Sequence, residues 1–360
     1  MGERELGLVS GISHDLMRWA LGRDPVRDAF AEQRFCRAVV LENGEHLAAV
    51  LATDVAGPGT TLFVPGADAA PAGGPVVVGY GGSLGEPGAE LSLNDEFYLQ
   101  TQAYGVSEYI SVLGPTVVRI AEPGDFPAYL ADADRARAEG VFADFLTHPA
   151  IQLADLSALG AGPRQDGPRT RLYVAADGGV STAPGGRRIG EIGDGLDRLE
   201  AAWAAINAES DQPCAVCLGA VVDEAERARA LAERPWLGRY LAAVAGIRDL
   251  RARGSFDVRV SGFGDRLLPA LAEVPSPADA TSSELPLLLW TRDAAYVTGE
   301  RTFKLDLDAG KLAEALLVTG SVDAAAGHVT SSLGLTEAAA REALHLVNGA
   351  RLTAEPAGAR

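Results

Sequence analysis

Residues 302–320 read TFKLDLDAGKLAEALLVTG, a stretch in which one residue pattern gives way to another. Apolar and polar residues alternate over Thr302–Leu307, which predicts a β-strand. Phe303, Leu305 and Leu307 would share one face of that strand. After it, apolar residues recur every three to four positions, which is the spacing of a helix with one buried side. The stretch therefore predicts a strand that leads directly into a helix.

The helix is expected to span Ala309–Val318, with Asp308 as its N-cap, because an aspartate side chain accepts hydrogen bonds from the first turn. Its buried stripe would consist of Leu312, Ala315 and Leu316. A Thr-Gly pair follows the last apolar residue and predicts the end of the helix.

The segments on either side complete a small module. Two strands are predicted before this stretch, at Leu285–Trp290 and Ala294–Val297, and two helices after it, at Ala324–Leu333 and Glu337–Val347. Gly334 separates those two helices. Three strands followed by three helices over so short a length is typical of a winged helix–turn–helix.

The rest of the chain has a different character. Residues 1–272 alternate irregularly between strand and helix patterns, which predicts an α/β or α+β body. Residues 273–284 read EVPSPADATSSE, and their prolines and Ser/Thr cluster indicate a linker. We therefore expect a body over 1–272, a linker and a module over 285–360.

The charge balance excludes some classes of partner. The chain has 49 acidic and 31 basic side chains and a net charge of −18. Nucleic-acid binders neutralise phosphates with basic residues, so this balance disfavours nucleic acid and, for the same reason, anionic membranes. On the third predicted helix, Arg341 and His345 stand beside Glu337 and Glu342, which is a poor surface for phosphate. No signal segment or long apolar stretch is visible, so we expect a cytoplasmic protein.

The C-terminal module resembles the RiPP recognition element, which serves the biosynthesis of ribosomally synthesised and modified peptides. The resemblance is carried by Tyr296–Leu307, Leu312–Leu317 and Leu335–Leu352. It implies that the leader segment of a precursor peptide adds as a strand to the third β-strand and lies against the third helix. Strand addition of this kind uses main-chain hydrogen bonds for affinity and side-chain contacts for specificity. The residues that the resemblance assigns to peptide binding are Thr302, Phe303, Lys304, Leu305, Asp306, Leu307, Arg341 and His345.

Two stretches of the body bear on two separate features, a nucleotide-binding loop and a β-hairpin. Val76–Gly88 reads VVVGYGGSLGEPG, and its first residues, Val76–Tyr80, read as a short strand. Its glycines lack the G-x-G-x-x-G spacing of a dinucleotide fingerprint, so we interpret the glycine-rich part as a tight loop. Phe35–Leu41 and Leu47–Thr53 read as strands, and Asn43-Gly44 between them predicts a hairpin turn.

The cysteines raise the question of a metal. Cys214 and Cys217 have the C-x-x-C spacing of a metal or redox pair. Residues 171–217 resemble the SPASM segment of radical-SAM enzymes, but Ser181 follows the Asp-Gly turn where that family has a cysteine. Two thiolates cannot complete a four-thiolate cluster. We therefore expect a degenerate segment without a cluster, with these two cysteines as weak metal candidates, and we expect no cofactor.

The chain as a whole resembles the RiPP recognition proteins of daptide biosynthesis. The resemblance implies a non-catalytic adaptor that binds the precursor leader peptide. It would present the precursor to an oxidative decarboxylase that resembles a metal-dependent alcohol dehydrogenase. Two other readings remain open: a peptide-modifying enzyme with its active site in residues 1–280, and a winged-helix regulator that binds DNA.

Overall fold

The structure, a computed structural model, describes most of the chain. The described residues are 3–22, 34–67, 74–109, 111–162, 167–275, 286–299 and 301–349. The protein is mixed α/β, with a large sheet and helices at its C-terminus. Within these ranges, no helix combines the length and the apolarity that crossing a bilayer requires.

The chain divides into two units. The first comprises Met1–Tyr129 and Ala150–Glu233, and the second comprises Leu130–Pro149 and Arg234–Arg360. The second unit thus includes residues on both sides of the predicted linker at 273–284. Positions 276–284 of that linker lie outside the described residues.

The first unit is built on a ten-stranded sheet. Its strands are β1 (Ala38–Leu41), β2 (Thr61–Pro65), β3 (Val76–Gly82), β4 (Glu90–Leu93), β5 (Phe97–Ala103), β6 (Thr116–Arg119), β7 (Ile151–Leu153), β8 (Arg171–Val174), β9 (Gly179–Ser181) and β10 (Gly190–Glu191). They lie in the order β10-β9-β8-β1-β2-β3-β4-β5-β6-β7. The run β8-β1-β2-β3 is parallel, as is β5-β6-β7, and β4 joins the two runs through antiparallel pairs.

Buried apolar clusters lie on this sheet. The helices of the first unit are α1 (Glu3–Leu21), α2 (Leu47–Leu51), α4 (Leu196–Ala208) and α5 (Glu224–Glu233), and α3 (Asp125–Glu139) begins in this unit and continues into the second. In β1, Val40 belongs to the buried cluster that contains Leu16 of α1, whereas its neighbour Val39 belongs to the cluster that contains Leu196 of α4. Both faces of the central parallel strands are therefore buried, which explains why these strands are continuously apolar.

The predicted hairpin around Asn43 is wrong. Residues Gly44–His46 form a 3-10 turn and Leu47–Leu51 form α2, so the expected strand over Leu47–Thr53 is absent from this described stretch. The Asn43 side chain accepts a hydrogen bond from the backbone N–H of Glu45 and so begins the turn. Because β1 is a central strand with parallel partners on both sides, its successor must return by a crossover instead of a hairpin.

The glycine-rich run begins as a strand, as the pattern of Val76–Tyr80 predicts, and residues 83–88 form the predicted loop. Gly79 and Gly82 lie in β3, where the backbone of other segments approaches closely. A Cβ atom at Gly79 would lie 1.8 Å from the carbonyl oxygen of Ala67, and one at Gly82 would lie 1.8 Å from that of Glu90. At this point β3 leaves β2 and pairs with β4. The glycines are therefore required by backbone packing at a strand bend.

The loop after β3 is held by two charged side chains. The Glu42 carboxylate accepts hydrogen bonds from Ser83 Oγ at 2.8 Å and from the backbone N–H of Gly85 at 2.7 Å. The Arg119 guanidinium donates to the carbonyl oxygens of Leu84 and Gly85 at 2.7 and 2.8 Å. These polar groups of the loop are thus bonded to protein atoms, so we interpret the glycine-rich run as a structural turn.

The second unit contains the C-terminal strands and helices. Its elements are α6 (Leu237–Ala252), β11 (Arg259–Val260), β12 (Leu287–Trp290), β13 (Ala295–Thr298), β14 (Thr302–Leu305), α7 (Leu307–Thr319), α8 (Val322–Leu333) and α9 (Glu337–Gly349). The strands form an antiparallel sheet in the order β11-β12-β13-β14. The order of three strands and three helices after residue 285 agrees with the prediction. Strand β11, which comes from before the predicted linker, was not expected in this sheet.

The first helix of this group begins earlier than the sequence predicts. Asp306, and not Asp308, is the N-cap of α7, and its carboxylate accepts a hydrogen bond from the backbone N–H of Ala309 at 2.8 Å. Asp308 lies in the first turn and pairs with Lys311 at 2.8 Å. The cap ends β14 at Leu305 because Asp306 must leave the strand ladder to bind the first turn.

A buried carboxylate joins α7 to the segment that follows β11. Glu314 is fully buried and accepts hydrogen bonds from the backbone N–H groups of Leu267 and Leu268, at 3.0 and 2.5 Å. Burial raises the pKa of this carboxyl, while hydrogen bonds from Ser261 and these N–H groups oppose the rise. Residues 261–268 therefore supply the hydrogen-bond donors for the buried Glu314 carboxylate of α7.

A close approach between α7 and β13 gives a test of this packing. A Cβ atom at Gly310 would lie 2.4 Å from the Cβ of Ala295, so Gly310→Ala forces the helix away from the sheet. We expect it to lower the free energy of unfolding by about 1–3 kcal/mol. The matched control is Gly327→Ala in α8, where the new Cβ meets no atom within 4 Å. That change should be neutral or stabilise by up to about 1 kcal/mol. Urea denaturation measures both, and equal effects would contradict the packing.

Candidate functional site

Strand β14 is the outermost strand of the small sheet. It pairs with β13 through Val297 opposite Phe303 and Tyr296 opposite Lys304, and no described strand pairs with its other edge. Of the residues assigned to peptide binding, Thr302–Leu305 lie in this strand. Asp306 and Leu307 instead form the cap and the first residue of α7.

The ladder pattern identifies which backbone groups face the open edge. The backbone N–H of Thr291 donates to the carbonyl of Ala294, and that of Gly299 donates to the carbonyl of Arg301. Antiparallel pairs alternate between bonded and non-bonded positions, so these contacts fix the pattern through the whole sheet. Phe303 and Leu305 then bond to β13. Thr302 and Lys304 point their N–H and C=O groups outward.

An apolar floor lies beside this edge. A buried cluster that includes Val297 and Ala313 is flanked by three partly buried side chains from β14, α7 and α9, namely Leu305, Leu317 and Val347. The end of α9 and the edge strand therefore pack on the same cluster. Two large apolar side chains near this floor remain exposed, Phe303 of β14 at 40% and Leu346 of α9 at 72%.

Arg341 is engaged within the helices. Its guanidinium pairs with Asp323 of α8 and donates to the carboxylate of Glu337 at 3.0 Å. Hydrogen bonds to Glu337 and Asp323 raise the pKa of the Arg341 guanidinium. His345 is exposed on the same helix. Arg341 and His345, which the resemblance assigns together to peptide binding, therefore differ in their availability. Arg341 would have to break its ion pairs with Asp323 and Glu337 to bind a peptide, whereas His345 is exposed.

No local sequence signal marks Glu314 as part of this arrangement. The sequence places it between Ala313 and Ala315, where a helical period alone marks it as one more surface glutamate. Its burial depends on Ser261 and the 267–268 backbone, which lie across the predicted linker. Only a contact distant in sequence reveals this anchor.

The cysteine pair lies in the first unit and is buried. The Cys217 sulfur lies 3.5 Å from Nη2 of Arg171 and 3.6 Å from the hydroxyl of Thr182. Cys214 has a backbone φ of 62°. Among the described residues, no group of three or more His, Cys, Asp or Glu side chains could hold a metal ion. Cys217 therefore has polar neighbours, but the two cysteines belong to no set of metal ligands among the described residues.

A second polar region of the first unit lies around α5. A cavity of about 710 Å³ there is lined by side chains of both signs, including Arg187, Glu209 and Glu224. Ser210 donates a hydrogen bond to Glu224, and the same carboxylate accepts two more from the buried guanidinium of Arg227, at 2.7 and 2.8 Å. Because three donors already use this carboxylate, the Ser210–Glu224 pair has the features of a structural network.

A comparison of the chain with protein-family models, with curated proteins and with solved structures found no match.

Proposed function

We propose that this protein is a non-catalytic adaptor of peptide biosynthesis, a RiPP recognition protein of the daptide type, that binds the leader segment of a precursor peptide. The C-terminal strands and helices would act as its winged helix–turn–helix recognition element. The observation that carries the proposal is the open edge of β14 beside an apolar floor shared with α9. The resemblance of residues 296–352 to the RiPP recognition element supports the same reading.

The edge offers the groups that strand addition needs. Thr302 and Lys304 each present one outward N–H and one outward C=O, so a peptide strand gains hydrogen bonds in register with them. Side chains of the added strand alternate between solvent and the floor. Those facing the floor would meet Phe303 and Leu305, which favours a leader with apolar residues at every second position.

Charged residues would have a smaller part in binding than the resemblance implies. Arg341 is held by Asp323 and Glu337, whereas Lys304 and His345 are exposed. Exposed ion pairs contribute about 0–1 kcal/mol each. We therefore assign most of the affinity to the backbone of β14 and to the apolar floor.

A regulator that binds DNA is disfavoured by the surface of α9. A recognition helix must present basic side chains to phosphates and bases. On α9 the arginine is neutralised by Asp323 and Glu337, and the neighbouring Glu342 is exposed. The other reading, a peptide-modifying enzyme with its active site in residues 1–280, is separated from an adaptor by the reconstitution below.

Lys304→Pro tests strand addition at this edge. Proline removes the outward N–H of Lys304 and leaves the bonds of Phe303 and Leu305 to β13 in place, since edge strands tolerate proline at such positions. We expect the affinity for a synthetic leader peptide to fall by about tenfold or more, as lost ladder bonds and steric obstruction predict. Isothermal titration calorimetry on the full chain measures it.

The matched control is Lys304→Ala, which removes the charge and keeps the backbone donor. It should bind the leader within about threefold of the parent. Thermal denaturation verifies that both variants are folded. Equal leader affinities for the proline and alanine variants would exclude this edge as the binding site. Asp306→Pro is unsuitable as a test because Asp306 caps α7.

Reconstitution tests the adaptor role. Precursor peptide, the alcohol-dehydrogenase-like enzyme and a nicotinamide cofactor are combined with or without this protein, and products are read by mass spectrometry. We expect product only when the enzyme is present. The adaptor should raise the rate most at low peptide concentration, because tethering raises the effective concentration of substrate. Lys304→Pro should remove this gain. Product formed by this protein alone would refute the adaptor and favour the enzyme reading.

A further inference from the structure

The first unit holds a pair of cysteines that the proposed function leaves unused. Cys214 and Cys217 are both thiols in the structure, and both are buried. The backbone N–H of Cys217 donates to the carbonyl oxygen of Cys214 at 3.4 Å. A hydrogen bond to the third residue before it is typical of a β-turn, so the two cysteines stand at the two ends of one turn.

This turn brings the two cysteines within reach of a disulfide. The α-carbons at the ends of a β-turn lie within about 7 Å of each other. Disulfides join cysteines whose α-carbons are about 4.4–6.8 Å apart. The backbone at Cys214 has a φ of 62°, in the left-handed region that residues other than glycine rarely adopt. The surrounding structure therefore holds Cys214 in this turn against its own backbone preference.

Hydrogen bonds from neighbouring segments fix the residues between the two cysteines. The backbone N–H of Ala215 donates to Oδ1 of Asn207 at 2.9 Å. The carbonyl oxygen of Val216 accepts a hydrogen bond from the backbone N–H of Arg187 at 2.7 Å. Because both intervening residues are anchored, the turn is already formed before any bond joins its ends.

Polar contacts indicate which of the two thiols reacts first. The guanidinium of Arg171 donates to the Cys217 sulfur at 3.5 Å, and the hydroxyl of Thr182 lies 3.6 Å from the same sulfur. This guanidinium also pairs with Asp155 and donates to the carbonyl oxygen of Trp19, so it is held beside the sulfur. A cationic N–H group at a cysteine favours the thiolate, which is the reactive form. Cys217 is therefore the expected nucleophile.

The third cysteine of the chain, Cys36, offers an internal comparison. Its sulfur is fully buried and donates to the carbonyl oxygen of Ala38 at 3.3 Å. Burial raises the pKa of the Cys36 thiol to about 12. Cys36 therefore stays protonated at neutral pH and is expected to be inert.

The size of the oxidant is limited by the burial of the pair. The cavity of about 710 Å³ beside α5 is lined in part by Ala215 and Gly219, so it reaches the residue next to Cys214. A hydrogen peroxide molecule fits such a space easily. A bulky disulfide such as oxidised glutathione would have to bring its own sulfur against a buried one. The surroundings therefore favour a small peroxide as the oxidant.

We propose that Cys214 and Cys217 form a reversible redox pair that a peroxide closes to a disulfide. The inference does not rest on the proposed function. In the first step the Cys217 thiolate attacks one peroxide oxygen, the O–O bond breaks, the released hydroxide takes up a proton to become water, and a sulfenic acid forms on Cys217. The Cys214 sulfur then attacks the Cys217 sulfur, the S–O bond breaks, and the leaving hydroxide takes the Cys214 proton to become a second water.

The two steps balance as a two-electron reaction. Two thiols are oxidised to one disulfide, and one hydrogen peroxide is reduced to two waters. A dithiol reverses the reaction by thiol–disulfide exchange and is itself oxidised to a disulfide. The pair can therefore open and close without loss of sulfur chemistry.

The test treats the folded full chain with hydrogen peroxide after reduction by dithiothreitol and removal of the reductant. Remaining thiols are alkylated under denaturing conditions, and the peptides are read by mass spectrometry. We expect two of the three thiols to disappear, a link between Cys214 and Cys217, and full recovery of thiols with dithiothreitol. In the folded chain the pair should lose its thiols at least about tenfold faster than Cys36 does.

Three serine variants assign the roles, and thermal denaturation verifies that each is folded. Cys36→Ser is the matched control and should form the disulfide as the parent does. Cys214→Ser should stop at the sulfenic acid of Cys217, which dimedone traps. Cys217→Ser should leave Cys214 a thiol under the same treatment.

The parent alone can overturn the inference, whatever the variants do. Retention of all its thiols, a disulfide that includes Cys36, or loss of the Cys36 thiol as fast as that of the pair would each refute it. Oxidation of Cys214 at the parent rate in a folded Cys217→Ser variant would refute the role of Cys217. Leader affinity is measured separately on the reduced parent, so its absence refutes the proposed function and leaves the redox pair untouched.

Discussion

The buried carboxylate of Glu314 is the contact on which the C-terminal unit depends. A charge taken out of water is stable only where hydrogen bonds replace its solvation, and here the backbone N–H groups of Leu267 and Leu268 supply them. The bonds hold α7 against a segment that is distant in sequence. Gly310 lets the same helix approach β13 closely. Together these contacts fix the helices relative to the sheet and so define the floor beside β14.

The alternation of bonded and non-bonded pairs between β13 and β14 determines which backbone groups the open edge presents. With Phe303 and Leu305 bonded to β13, only Thr302 and Lys304 present backbone groups outward. The short strand ends at Leu305 because Asp306 turns away to cap α7. An unpaired edge is a hazard in most proteins, since any extended chain can pair with it. Here it is short and lies beside apolar side chains, which is suited to a peptide that adds by its main chain.

The first unit uses glycine and charge to shape a large sheet. Gly79 and Gly82 let β3 pass other backbones closely where it changes partners, and Glu42 and Arg119 hold the loop that follows. The glycine-rich sequence pattern therefore reflects strand geometry and loop packing.

The sequence by itself determined the order of strands and helices after residue 285, because alternation and helical spacing there act over only a few residues. It also determined the buried stripe of α7, which consists of Leu312, Ala315 and Leu316. It could not give the cap at Asp306, since two aspartates compete within three residues and only the chain path selects one. The hairpin at Asn43 was wrong because the central place of β1 outweighs a local turn signal. The addition of β11 to the small sheet, the burial of Glu314 and the ion pairs of Arg341 were decided by the tertiary structure alone, because each joins residues that no local pattern relates.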